Sequence, residues 1–350
     1  MSPPREDSEP TAPVGDLIAR QRRPRRALLR RAGWALALGG LAWVFHDVDL
    51  AVIASGFRGL DRPLAGIAVA VDLAAFLCQG WRWRLLLRPR GRISLVETTK
   101  AVYAGLFTNE ILPFRVGELV RSYLVARRLG IDIMTVLASV AVERLFDGVW
   151  LALSVGLVAI FVPLPPDLTR AADLLGAVVL VAALGFAWLV LRRGRPVPVR
   201  TGFLGQTLQR AAAAVRTLGS TRTAVVAFAI SSGVLGFQIL AFWLMLDAYG
   251  IQVPLLQGAV VLLVVALGTA LPNAPGNVGT YQLFCVLALG LFGVEKSVAT
   301  GFSVVAFVVL TIPIWLLGAV ALSASGESLL RIRGEVAEAL RASRARRRQR

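Results

Sequence analysis

The residues of this chain that could do chemistry fall in three short stretches, each set inside apolar sequence. The first runs from Asn109 to Arg121 and brings together Asn109, Glu110, Arg115, Glu118 and Arg121. Two guanidinium groups about one or two helical turns apart can grip a phosphate in bidentate fashion. Glu118 and Arg121 are also spaced i,i+3, so the same residues could close on each other as an internal ion pair. The second stretch, VERLFDG, places Glu143, Arg144 and Asp147 on one face of a helix. Paired carboxylates at that spacing could bind a cation, exchange a proton or support catalysis. Their other reading is charge pairing with Arg115 or Arg121, in a structural or gating role. The third stretch, ALPNAPGNVGTYQ, carries no charge. Its Asn273, Asn277, Thr280 and Gln282 offer neutral hydrogen bonds only. Asp72, Gln79 and Gln238 are weaker candidates for lining a cavity.

The composition narrows the chemistry. There is one histidine, His46, which excludes a His-based metal cluster and argues against a His-dependent catalytic triad. The two cysteines, Cys78 and Cys285, stand in apolar runs and read as small buried hydrophobes. No Ser or Cys nucleophile motif occurs. The expectation is no metal, no cofactor and no catalytic group.

The elements that must position these groups are helices in a membrane. The 350-residue chain is 56% hydrophobic, with a mean hydropathy of +0.69. Soluble domains are about 45–50% apolar. Apolar windows of about 20 residues make this an all-α polytopic membrane protein. Six full spans are expected, at about 33–45, 63–87, 133–162, 172–191, 223–246 and 297–322. Two further elements, about 98–128 and 256–292, are apolar but broken. Pro113 and Gly117 interrupt the first; Pro272, Pro275, Gly276 and Gly279 interrupt the second. Aligned on Pro113 and Pro275, both read P-x-x-V-G followed by an apolar run. Breaks at corresponding points of two halves are a sequence pointer to a transporter's substrate site. New half-helices should start near Gly117 and Thr280, and a helix start inside the membrane favours an anion.

Charge sets the topology. The chain has 38 Lys and Arg against 21 Asp and Glu, a net charge of +17, and only Lys100 and Lys296 are lysines. In this hydrophobic context that charge is no nucleic-acid signal. Arginines crowd residues 1–32, 82–100, 115–128, 192–222 and 323–350. The intervening stretches 46–62, 163–173, 247–255 and 293–296 hold only Arg58, Arg62, Arg170 and Lys296. The positive-inside rule then places both termini in the cytoplasm. It has the first broken element enter and leave on the cytoplasmic side, and the second on the outside. The result is an inverted repeat, with one half about 33–162 and the other about 172–322. Residues 1–32 read as a basic cytoplasmic arm without a secretory signal pattern. Residues 192–222 read as a cytoplasmic linker with an amphipathic stripe, and 323–350 as a basic tail.

Four segments carry a family resemblance: RWRLLL (82–87), NEILPFRVGELVRSYLVARRLG (109–130), ASVAVERLFDGVWL (138–151) and PNAPGNVGTYQ (272–282). Over about 33–322 the chain resembles the transmembrane flippase domain of lysylphosphatidylglycerol synthases, in a stand-alone form. The resemblance implies translocation of a polar lipid between leaflets. It does not carry over the synthase activity, which belongs to a soluble aminoacyl-transferase domain. Where the family often has Glu, this chain has Gln282, which cannot ionise.

The expected function is therefore a lipid flippase or transporter working by alternating access. Its substrate residues would be Asn109, Glu110, Arg115, Glu118, Arg121, Asn273, Asn277, Thr280 and Gln282. Pro113, Gly117, Glu143, Arg144, Asp147, Pro272, Pro275, Gly276 and Gly279 would shape or gate the path. The expected partners are membrane lipids, anionic or phosphate-bearing, and a separate lipid-modifying enzyme. The expected location is the bacterial cell (inner) membrane. The alternatives are a membrane-embedded enzyme acting on a lipid phosphate through Glu143 and Asp147, and a non-transporting accessory subunit.

Overall fold

A computed structural model describes residues 38–39, 41–46, 50–111, 116–161, 177, 220–270 and 275–326. Among them the secondary structure is helical throughout: α1 (Leu50–Gly59), α2 (Arg62–Leu87), α3 (Leu95–Ile111), α4 (Gly117–Leu129), α5 (Ile133–Phe161), α6 (Thr221–Ala248), α7 (Leu255–Ala270), α8 (Thr280–Gly290) and α9 (Lys296–Ser323). Single 3₁₀ turns cover Arg88–Arg90 and Pro275–Asn277. The described boundaries fall within a few residues of the expected ones. The span expected at 172–191 and most of the arms and linker lie outside the described residues.

The helix ends follow from local chemistry. Asp61 Oδ1 accepts from the Leu64 N–H at 3.0 Å and Pro63 stands in the first turn, so α2 starts there. Ser94 and Glu97 form a reciprocal cap at the head of α3: Ser94 Oγ accepts from the Glu97 N–H (3.1 Å), and Glu97 Oε2 accepts from the Ser94 N–H (3.0 Å). Gly130, at φ 64°, ends α4 in a left-handed turn that few other residues adopt.

Among the described residues, three helices are long and apolar enough to cross a bilayer: the 62–90 segment built on α2, then 222–248 within α6, and α9. Their outer faces carry large exposed apolar side chains, such as Val225, Leu316 and Val320. That is the surface a lipid environment requires. The 29-residue α5 is longer still but holds Glu143, Arg144 and Asp147 in its middle. With α1, a ten-residue helix stands where the sequence reading had only a loop.

α2 and α6 lie against each other along much of their length, and α3 packs on α9, α4 and α2. Two buried clusters divide the bundle. One gathers Trp83, Leu87, Val102, Tyr123, Val136 and Leu322; the other gathers Ala65, Phe242, Met245, Val261, Cys285 and Phe302. Helices α2 and α9 both run from the second cluster to the first, while α6 ends in the second.

The two broken elements are antiparallel hairpins rooted at opposite clusters. In the first, Gly105 of α3 faces Gly117 of α4, and the Arg128 and Glu97 side chains pair at the base at 2.5 Å. A Cβ on Gly117 would stand 1.8 Å from the Gly105 carbonyl oxygen, so only glycine admits this approach. In the second, Gly268 of α7 lies against the Phe284 ring of α8, and Phe292 packs on Val260 and Leu263 nearer the base. At 17 and 13 residues, and at 16 and 11, the four helices are each short of the roughly 20 residues a span needs. The hairpins meet tip to tip. The Pro275–Asn277 turn contacts α3, and a Cβ on Gly276 would lie 3.5 Å from Glu110 Oε2.

Candidate functional site

Charged residues from α2, α4 and α5 converge on one network, and its centre is Arg82. The side chain of this α2 residue is fully buried. Its Nε and Nη2 donate to Glu143 Oε1 at 3.3 and 3.2 Å. Nη2 also donates to Asp147 Oδ2 at 3.3 Å, and Nη1 donates to Asp147 Oδ1 and to Ser231 Oγ of α6, the latter at 2.7 Å. The i,i+4 spacing of Glu143 and Asp147 lets one guanidinium reach both.

Glu143 is shared. Its Oε2 lies 2.9 Å from Arg121 Nη2, contributed by α4. The Arg121 guanidinium also sits 4.7 Å from the centre of the Trp83 ring, a cation–π contact, and the indole N–H of Trp83 donates to Ser139 Oγ at 3.0 Å. Arg121 does not pair with Glu118, its i,i+3 neighbour; Glu118 instead faces Arg144 Nε at 3.3 Å. Arg144 Nη2 lies 3.5 Å from Asp147 Oδ2, which closes the chain. Three arginines thus meet three carboxylates, so the network is neutral. Burial of this kind tolerates ions only when each has its partner.

Exposure rises along the network. The side chains of Arg82 and Glu143 are at 0% and Arg121 at 4%, whereas Asp147 is at 31%, Glu118 at 39% and Arg144 at 48%. Half-exposed charges in the middle of a long apolar helix need a polar environment, because hydrocarbon would not solvate them. Ala141 and Gly148, on the same face of α5 as Arg144, are exposed too. Arg144 is thus the half-exposed guanidinium of the network, with the buried ions of Arg82, Glu143 and Arg121 behind it.

The expected substrate residues of the hairpins are placed differently. Asn109 Oδ1 accepts from the Gly117 N–H at 2.7 Å, so it caps the second half-helix of its own hairpin. Gln282 Oε1 accepts from the Gly279 N–H at 2.7 Å and is buried, doing the same for α8. Asn277 holds a left-handed backbone at φ 54° in the tip turn, between Gly276 and Gly279 at φ 72° and 84°. Thr280 is fully buried at the start of α8, and Glu110 is half-buried beside Gly276. Pro113, Arg115, Pro272 and Asn273 lie outside the described residues. Among the described residues, no group of three side chains is disposed to hold a metal ion.

The family described as lysylphosphatidylglycerol synthase TM region matches residues 31–318. The chain belongs to that family. As a lysylphosphatidylglycerol synthase TM region, its matched span takes in both hairpins and the whole charge network. The chain is also similar to the glycosyltransferase AglD of Haloferax volcanii, with 26% identity over 325 residues, covering 81% of this chain and 52% of the relative. It therefore spans about half the length of that relative.

Arg82, Trp83 and Ser231 are the members of the network that charge and motif reading missed. Arg82 sits in a WRWR run at the end of α2, where Arg84, Arg88 and Arg90 read together as a cytoplasmic cluster. One of the arginines counted as topology-determining is thus a core residue. The signal for it was stoichiometric: two carboxylates one turn apart inside a spanning helix call for more than one cation.

Proposed function

We propose that this membrane protein moves a polar, phosphate-bearing lipid between leaflets by alternating access. The observation that carries the reading is the half-exposed Arg144–Glu118–Asp147 face at mid-helix, backed by the buried Arg82–Glu143–Arg121 ions. A lipid phosphate reaching that face would compete with Glu118 for Arg144, replacing one ion pair by another. The ions behind keep their partners throughout. Two hairpins rooted at opposite ends and touching at their tips supply a natural pair of gates.

The element contacts support an inverted repeat. α2 with α3, α3 with α4, and α4 with α5 have counterparts in α6 with α7, α7 with α8, and α8 with α9. With the charge asymmetry of the sequence, this supports a pseudo-two-fold relation in the membrane plane, six spans, and both termini in the cytoplasm of a bacterial cell. A separate enzyme that modifies the lipid would complete the pathway.

A second reading follows from the name of the Haloferax volcanii relative. It puts the chain in glycan chemistry, with a sugar-bearing lipid phosphate as cargo or as substrate of a membrane-embedded transfer reaction. Both readings share the phosphate. Purified protein in liposomes, offered labelled phospholipids and polyprenyl phosphates, separates them. Transport changes the leaflet of the label, whereas a transfer reaction changes its mass. The Arg144→Gln variant should lose most of the leaflet change.

A further inference from the structure

One carboxylate stands apart from the network. Asp72 is the eleventh of the 26 residues of α2. About 15 Å of helix lies before it and about 22 Å after it, at 1.5 Å per residue, so it sits deep in the span. Arg62 and Arg82, the nearest cations on its own helix, are each ten residues away, about 15 Å along the axis. Among the described residues Asp72 makes no hydrogen bond and no ion pair. Its side chain is half-buried, so it still meets accessible space.

What surrounds it is phenolic. Tyr103 of α3 and Tyr281 of α8 are within electrostatic reach. The Tyr103 hydroxyl donates to the carbonyl of Leu73, the residue next to Asp72, at 3.2 Å, and its ring lies 6.0 Å from Phe76. The Tyr281 ring lies 5.3 Å from Phe307 of α9. On α3 itself, Glu97 and exposed Lys100 lie toward the base and half-buried Glu110 at the hairpin tip. Arg222 and Asp247 stand at the ends of α6, Lys296 heads α9, and the acids of α5 are engaged with Arg82.

A carboxylate at this depth without a cation is costly to keep ionised, and proton uptake removes the charge. Its two phenolic neighbours come one from each hairpin. Any change in how the hairpins meet alters the surroundings of Asp72 and therefore its affinity for a proton. We infer that Asp72 is a proton-exchange site in the membrane, loading from one face and releasing to the other as the hairpins rearrange. The carboxylate gains one proton to become the neutral acid and returns it on release, with no other reactant. The coupling of that proton to lipid movement rests on the transport reading above; the exchange itself does not.

Infrared difference spectroscopy on the full chain in nanodiscs, titrated over pH, tests the site directly. The wild type should show a carboxylic-acid C=O band that disappears as pH rises. Asp72→Asn should lack that band, and Asp72→Glu should restore one at shifted frequency. An identical titrating band in Asp72→Asn, or no titrating band in the wild type, overturns the site. A band displaced by a cationic aminoacylated lipid but not by pH overturns it in favour of an ammonium site. In liposomes, an imposed pH gradient should change the wild-type lipid rate several-fold and leave Asp72→Asn without any gradient response, whatever its absolute rate. A titrating Asp72 with no lipid movement removes the transport reading and keeps the proton site. Lipid movement with neither gradient response nor titration does the reverse.

Discussion

Arg82 and Glu143 face each other at 3.2 Å from two different helices, with both side chains fully buried, and Glu143 holds Arg121 on its other oxygen at 2.9 Å. One carboxylate therefore bridges two buried guanidinium groups that α2 and α4 bring to α5, with Asp147 supplying the second charge to Arg82. The consequence is an asymmetry between partners.

Glu143→Ala should be among the most destabilising substitutions in the chain, because it strands buried Arg121 and leaves Arg82 with Asp147 as its one carboxylate partner. Removing one partner of a buried pair costs about 3–5 kcal/mol in soluble proteins, and polar contacts in membranes are often weaker, roughly 1–2 kcal/mol. Thermal unfolding in detergent should show Glu143→Ala well below Arg144→Ala, whose pair is half-exposed and worth at most about 1 kcal/mol. Equal melting temperatures for the two would sink the assignment.

The hairpin approach gives a steric test. Gly117→Ala would place its Cβ 1.8 Å from a backbone oxygen, which α3 and α4 can relieve only by separating. Gly148→Ala on α5 meets nothing within 4 Å. The first should abolish monodisperse protein and the second should leave yield and melting temperature unchanged. Size-exclusion chromatography of the two variants decides it.

Gln282 and Asn109 are caps in this structure, which separates two roles that sequence alone could not. Gln282→Glu keeps the acceptor for the Gly279 N–H and should fold like the wild type. Gln282→Ala and Asn109→Ala each lose a helix cap, at about 0.5–2 kcal/mol. If Gln282→Ala lowers lipid affinity without moving the melting temperature, the side chain is a ligand and not a cap.

The hairpins, the long charged α5 and the flanking spans were legible because Pro, Gly and charge are rare inside apolar sequence and mark where a helix stops. α1 was not legible: ten residues are about half of what a span needs, so a reading that looks for apolar windows of about 20 residues leaves them in a loop. The partner choice within the network was legible in part: pairing of the α5 acids with Arg121 was expected and Glu143 makes it, whereas the partners of Glu118 and the role of Arg82 were not. Local spacing favours Glu118 with Arg121, but helix packing turns Arg121 toward Trp83 and Glu143 and leaves Glu118 to Arg144. Which of several arginines at the end of α2 points inward depends on the rotation of that helix against α5 and α6. Charge counting does not contain that rotation.

Arg144 is the half-exposed cation of the network, so its removal should affect ligand more than fold. Arg144→Gln should leave the melting temperature within about 1 kcal/mol of wild type in stability terms. It should also remove the extra stabilisation that a phosphate-bearing lipid gives the wild type. Thermal shift with phosphatidylglycerol and with uncharged diacylglycerol measures this. Equal protection of the wild type by both lipids contradicts a phosphate site.

The central claim is movement of a phosphate-bearing lipid along the Arg144 face, and leaflet accessibility in proteoliposomes tests it most directly. Labelled lipid in the inner leaflet is followed by an impermeant quencher outside. Wild-type protein should speed exposure of phosphate-bearing lipids well above protein-free vesicles, with Arg144→Gln close to the protein-free rate. Folded wild-type protein that moves no polar lipid faster than empty vesicles, or an Arg144→Gln variant as fast as wild type, would contradict the account.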